Sequence, residues 1–166
     1  MSYSRPKLMI QKTTSERVWD MIGLSIYVGS IILLLVVWSS LPSEVPAHYN
    51  FLGEVDRWGK KWELLILPVV GGFLLLMMQA LEKHPEAHNY PKRLNESNAE
   101  AFYLNSRKML NQLKNSSLIV LSAILIESIS IAMDWINGFG KWFIPILLIG
   151  VFLPMLIGLL KQRKIR

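Results

Sequence analysis

The chain has 166 residues, 52% of them apolar and 18% charged, with 18 Lys and Arg against 12 Asp and Glu for a formal net charge of +6. The apolar residues stand in long blocks rather than at a short period, which excludes an ordinary soluble domain. Cysteine is absent, which excludes disulfides and thiolate-bound metals.

Residues 1–17 form a polar N-terminal segment with Arg5, Lys7, Lys12 and Arg17. The first apolar block, Val18–Trp38, contains a single charge, Asp20, near its start. It is too long for the core of a secretory signal and no small-x-small cleavage site follows it, so it is expected to remain as a membrane span. Asp20 reads as an ordinary carboxylate at a helix start beside Arg17.

A loop at 41–63 follows, "LPSEVPAHYNFLGEVDRWGKK" through Lys61. Pro42 and Pro46 fix φ and keep the residues before them out of the helical region. Asn50 and Gly53 tolerate the positive φ that turns require. Trp58 and Trp62 suit a headgroup interface, and the neighbouring lysines can extend toward it. A compact, turn-rich cap on the helix ends is predicted, with His48, Asp56 and Glu44 available to a ligand.

The second block, Leu64–Leu81, has no charge and carries Gly71 and Gly72 at mid-span, where a neighbouring helix can approach closely. The 82–115 connection is polar at first, then helix-forming from about residue 97, with Phe102, Met109, Leu110 and Leu113 at helical spacing. That pattern predicts an amphipathic helix, lying on the membrane or continuing into the third span. His84 and His88 stand at i and i+4, but Pro85 and Pro91 interrupt the helix that would align them, and no third ligand at zinc spacing follows. A solvated loop is the reading, with no metal and no cofactor.

The third block, Ser116–Met133, includes one charge, Glu127, about 9 Å inside its far end. A carboxylate at that depth is costly unless it is paired, hydrated or protonated, so Glu127 is either a packing carboxylate or part of a ligand-binding pocket opening outward. The fourth block, Trp142–Leu160, has no charge, with Pro145 in its first turn and Pro154 in its interior. A basic tail, 161–166, closes the chain. Four blocks of about 20 residues each match a bilayer core of about 30 Å. The expected fold is an all-α integral membrane protein, an antiparallel bundle of four transmembrane helices, built as two-span units at 18–81 and 116–160.

All the Lys and Arg residues except Arg57, Lys60, Lys61 and Lys141 lie in the N-terminal segment, the 82–115 connection and the tail. The positive-inside rule places those segments and both termini in the cytoplasm of a multi-pass cell-membrane protein, and the 41–63 loop outside. Basic flanks facing anionic headgroups account for the net charge without nucleic acid. There is no Gly-rich phosphate loop, no G-x-S-x-G and no pair of carboxylates at catalytic spacing, so no enzyme and no catalytic residue is expected.

The loop pattern LP-x-x-VP-x-H-Y-N-x-x-G-x-x-D-R-W-G-K resembles the signature of a domain of unknown function in bacterial membrane proteins, found at the N-terminus of SdpI-type immunity proteins. The resemblance covers about Met21 to Leu81 and rests on Pro42, Pro46, His48, Asn50, Gly53, Asp56, Trp58, Gly59 and Lys60 or Lys61. It implies immunity to a secreted peptide, met at the outward loop. Two functions follow. In the first, His48, Asn50, Asp56, Lys60 and Glu127 bind an extracellular peptide, lipid or antibiotic, with Pro42, Pro46, Gly53, Trp58 and Gly59 shaping the loop. In the second, the chain is a small accessory subunit or transporter-like component with a membrane-protein partner, and Glu127 handles a proton or ion.

Overall fold

A computed structural model describes residues 5–138 and 140–166; the first four residues of the basic N-terminal segment lie outside it. The molecule is mostly helical. Helix α1 spans Thr14–Val37, and strands β1 (Glu44–Tyr49) and β2 (Val55–Lys60) follow. A 3-10 turn at Lys61–Leu65 leads into α2 (Ile66–Glu82), and α3 (Ala99–Ala132) and α4 (Phe143–Lys164) complete the chain. Four helical stretches are long and apolar enough to cross a membrane: Thr14–Val37, Lys61–Glu82, Ala99–Ala132 and Phe143–Lys164. Each contains one of the apolar blocks, give or take a residue or two at the ends.

The expectation of an all-α chain needs one correction: 44–60 is an antiparallel two-stranded hairpin. Asn50 Oδ1 accepts from the backbone N–H groups of Leu52 (2.8 Å) and Glu54 (3.0 Å), an Asx turn that folds the chain back. Gly53 completes the turn at φ +76°, a conformation open to glycine. Proline is tolerated in β1 because this is an edge strand.

α3 is the centre of the molecule. α1, β1, α2 and α4 all pack on it, whereas α1 and α2 meet chiefly at Tyr27, whose hydroxyl donates to the Pro68 carbonyl (2.5 Å) and whose ring lies against Gly71. Half of its most apolar stretch is buried, against 6% for α4, whose outer faces are left for lipid. Beside the hairpin, Leu34, Val37, Leu41, Val45, Leu64, Leu125 and Ile129 form one buried cluster. At the other end Ala99, Phe102 and Tyr103 pack against Ile10, Tyr90, Leu94 and Ile165.

At 34 residues and about 1.5 Å each, α3 is about 50 Å long, well beyond a bilayer core of about 30 Å. The segment near 97–114 therefore does not form a separate helix on a membrane surface. It continues into the third span, and the 115/116 boundary between units falls inside one unbroken helix. Phe102 is covered by protein, and Met109 packs into the space left by Gly158, where a Cβ would lie 1.9 Å from Met109 Cγ.

Candidate functional site

The hairpin brings some of the sequence-singled residues together. His48 Nδ1 lies 2.6 Å from Asp56 Oδ1 across the strands, an exposed cross-strand pair. Asn50 is occupied by the turn, its Nδ2 also donating to Glu54 Oε2 (2.8 Å). Lys60, at the hairpin base, pairs in register with Glu44, away from the others. Gly59 has a steric role: a Cβ there would stand 2.2 Å from Glu63 Oε1 and 2.8 Å from Ala47 Cβ. That close approach lets Glu63 turn back to take Arg57 (Nη2 to Oε2, 2.9 Å) and the Lys60 backbone N–H (3.2 Å). The Glu63 carboxylate holds the Arg57 guanidinium above its usual pKa.

Beneath β1 lies a cleft of about 320 Å³. Its rim carries His48, Arg57 and Glu63, and its walls are aliphatic and aromatic, among them Ile66, Leu67, Ile124 and Leu147. Tyr49 reaches past it to α3, its hydroxyl 2.8 Å from Ser128 Oγ. Glu127, the residue before Ser128, is wholly buried and close to Gly138, where a Cβ would come within 3.7 Å of Oε1. It does not line this cleft. Asp56, Asn50 and Lys60 do not line it either; of the five proposed ligand-binding residues only His48 does.

Burial pushes the Tyr49 phenol up to about 12; its hydrogen bond with Ser128 works against the shift and the Glu127 carboxylate adds to it. A raised pKa means that the folded state holds the proton more tightly. The Tyr49 contribution is complete below the ordinary value of 10.0 and is lost as pH rises toward 12. In alkaline unfolding of the detergent-solubilised protein, wild type should lose stability across that window, and Tyr49→Phe should lack this component.

A second constellation sits about 30 Å away along α3, counting from Ser128 back to Arg107. Arg107 Nε meets Glu16 Oε1 at 2.7 Å, both groups buried. The same guanidinium donates to the backbone carbonyls of Ile10 and Gln11, the latter at 2.8 Å. Lys114 Nζ lies between Asp20 Oδ1 (2.9 Å) and Glu82 Oε1 (2.7 Å), and Lys12 Nζ approaches the same two carboxylates at 2.6 and 3.1 Å. Asn111 and Asn115 each donate to Asp20 Oδ1, at 2.7 and 2.9 Å. Three cations thus balance three carboxylates among α1, α2 and α3. Burial alone would lower the Lys12 pKa, but its contacts with Asp20 and Glu82 outweigh that and raise it. A cavity of about 420 Å³ adjoins the cluster, lined in part by Lys12, Glu82 and Arg107.

Asp20 is therefore not an ordinary end-of-helix carboxylate beside Arg17 but the centre of a buried network. A legible signal was available: Arg107, Asn111 and Asn115 recur at i+4 and put a polar stripe on one face of a helix entering the bilayer. On the polar connection, His88 bonds Ser106 Oγ (2.8 Å) and the Leu81 carbonyl (3.0 Å), tying the loop to the ends of α2 and α3.

Residues 26–72, from the middle of α1 through the hairpin to Gly72, match a family described as a domain of unknown function, DUF1648. An uncharacterized protein of Archaeoglobus fulgidus is 30% identical over 122 residues, covering 72% of this chain and 53% of its own length. The chain thus spans about half the length of the curated relative it matches. No solved structure matches it.

Proposed function

We propose that this is a multi-pass cell-membrane binding protein of the immunity type, whose outward hairpin captures an amphiphilic extracellular molecule, a peptide before a lipid or antibiotic. The observation that carries the reading is the cleft under β1, aliphatic in its depth and rimmed by His48, Arg57 and Glu63. Such a cleft suits a ligand that buries an apolar side chain and leaves polar groups at the mouth. The bias of Lys and Arg to the opposite end of an antiparallel four-helix bundle supports an outward hairpin and cytoplasmic termini. The likeness of the loop to SdpI-type immunity proteins supports a secreted peptide as the ligand.

The test is survival of cells expressing wild type, His48→Ala, Arg57→Gln or Ile124→Trp under challenge with secreted peptide toxins of related bacteria, with membrane abundance checked by blot. Wild type should protect. His48→Ala and Arg57→Gln alter the rim and Ile124→Trp fills the depth, so each should lose protection at equal abundance. No protection by wild type overturns the reading. A second reading, an accessory or transporter-like component, is favoured by the buried ionic cluster and the cavity beside it. It would show as pH-dependent flux in vesicles or stable co-purification of another membrane protein.

A further inference from the structure

Between α3 and the last turns of α4, at the end of the molecule carrying both termini, runs a groove of about 350 Å³ that also touches Ser15 at the start of α1. Lys108, Lys161 and Gln112 stand on its polar side, and Leu104, Met109 and Ile157 form its apolar side; no Asp or Glu lines it. Neither lysine takes part in an ion pair among the described residues. This distinguishes the groove from the cavity beside Glu82, where Lys12 and Arg107 already face carboxylates and Glu82 itself lines the wall.

The walls are held in place. Asn105 Nδ2 donates to the Gly158 carbonyl (3.0 Å), locking α3 to α4 at the floor. Arg93 donates to the carbonyls of Gln162 (2.6 Å) and Ile165 (3.1 Å), and Asn98 to that of Arg166 (3.1 Å), so the chain beyond Lys161 is tied down as well. From Ile157 the apolar face of α4 continues toward mid-bilayer through the exposed Leu153 and Leu156.

We infer that this groove is a site for an anionic diacyl phospholipid, with the headgroup phosphate between Lys108 and Lys161 and an acyl chain lying along Ile157, Leu156 and Leu153. Two unneutralised ammonium groups at the polar end of an apolar track, at membrane-interface depth, match the charge and the shape of such a lipid. A free phosphate would satisfy the lysines but leave the apolar side uncovered. A zwitterionic lipid would fill the track but cancel its charge at the mouth. The site is independent of the hairpin cleft and of its ligand.

The experiment is lipid titration of the delipidated, detergent-solubilised full chain, read by native mass spectrometry and by melting temperature. The probes are phosphatidylglycerol, phosphatidylcholine and inorganic phosphate. Phosphatidylglycerol should bind and stabilise, with phosphatidylcholine and phosphate much weaker. At about fivefold for each lysine near an anionic surface, Lys108→Gln/Lys161→Gln should weaken phosphatidylglycerol by about 30-fold. Lys83→Gln/Lys92→Gln removes the same charge away from the groove and should change little. Ile157→Trp, which fills the groove without touching its charge, should also weaken the lipid. The inference is overturned if the Lys108/Lys161 variant binds phosphatidylglycerol like wild type, if phosphatidylcholine binds equally well, or if phosphate alone gives the full stabilisation.

Discussion

Lys114→Met should lower the stability of the solubilised protein by about 3–5 kcal/mol, the usual cost of removing one partner from a buried ion pair. The lysine is almost wholly buried between Asp20 and Glu82. Removing it leaves two carboxylates to share Lys12, which is about one-third exposed, and the neutral donors Asn111 and Asn115. The figure should therefore fall toward the lower end of the range. Thermal unfolding in a mild detergent would measure it, and Lys114→Met/Glu82→Gln should recover much of the loss because the uncompensated charge goes with its partner. A single variant as stable as wild type would mean that the network is solvated and contributes little. The variant should also become sensitive to alkali. Lys12, its pKa raised by the two carboxylates, contributes fully below its ordinary value of 10.5 and loses its contribution as pH climbs through the raised value.

The second large effect concerns packing. Gly23 on α1 lies so close to α3 that a Cβ would sit 2.5 Å from Asn115 Oδ1 and 2.8 Å from Asn115 Cβ. An atom bound directly to the α3 backbone cannot swing away, so Gly23→Leu must push the helices apart, at about 1–3 kcal/mol for overpacking. The displaced Asn115 would also lose its bond to Asp20, adding about 1 kcal/mol. Gly29, on the same helix, has nothing within 4 Å of its missing Cβ. Gly29→Leu should stay within about 0.5 kcal/mol of wild type. Equal melting temperatures for the two variants would show that α1 and α3 do not meet as described.

The membrane spans were legible because length and lack of charge are local properties, readable without knowing any neighbour. The hairpin was harder. Asn50 and Gly53 announced a turn, but the strands on either side are six residues long, one contains Pro46 and the other three charges, and their pairing depends on cross-strand contacts rather than propensity. Of the site, His48 and Asp56 are legible as polar groups of the loop, and they face each other across the hairpin. Tyr49, Arg57 and Glu63, which hold or rim the cleft, are indistinguishable in sequence from ordinary loop residues. The ionic cluster escaped for a different reason. Arg107 and Lys114 fit the basic flank that sets topology, and Glu16 and Arg107 stand 91 positions apart, a separation over which no periodicity operates.

The way α1 and α2 both lean on α3, with Tyr27 on Pro68 and Gly71 as their main direct contact, sets an order on biogenesis. As the chain is inserted, the first two spans reach the bilayer sharing the Tyr27 contact with Pro68 and Gly71 but without the α3 surface on which both pack. Asp20 and Glu82 wait at its edge with Lys12 as their one counter-charge until residue 114 has been synthesised. The stretch 26–72 carries its own hairpin and the Tyr27–Pro68 bond, and the third helix arrives as the keystone that completes its buried cluster through Leu125 and Ile129. Pausing translation before that helix would leave an intermediate open to quality-control proteases.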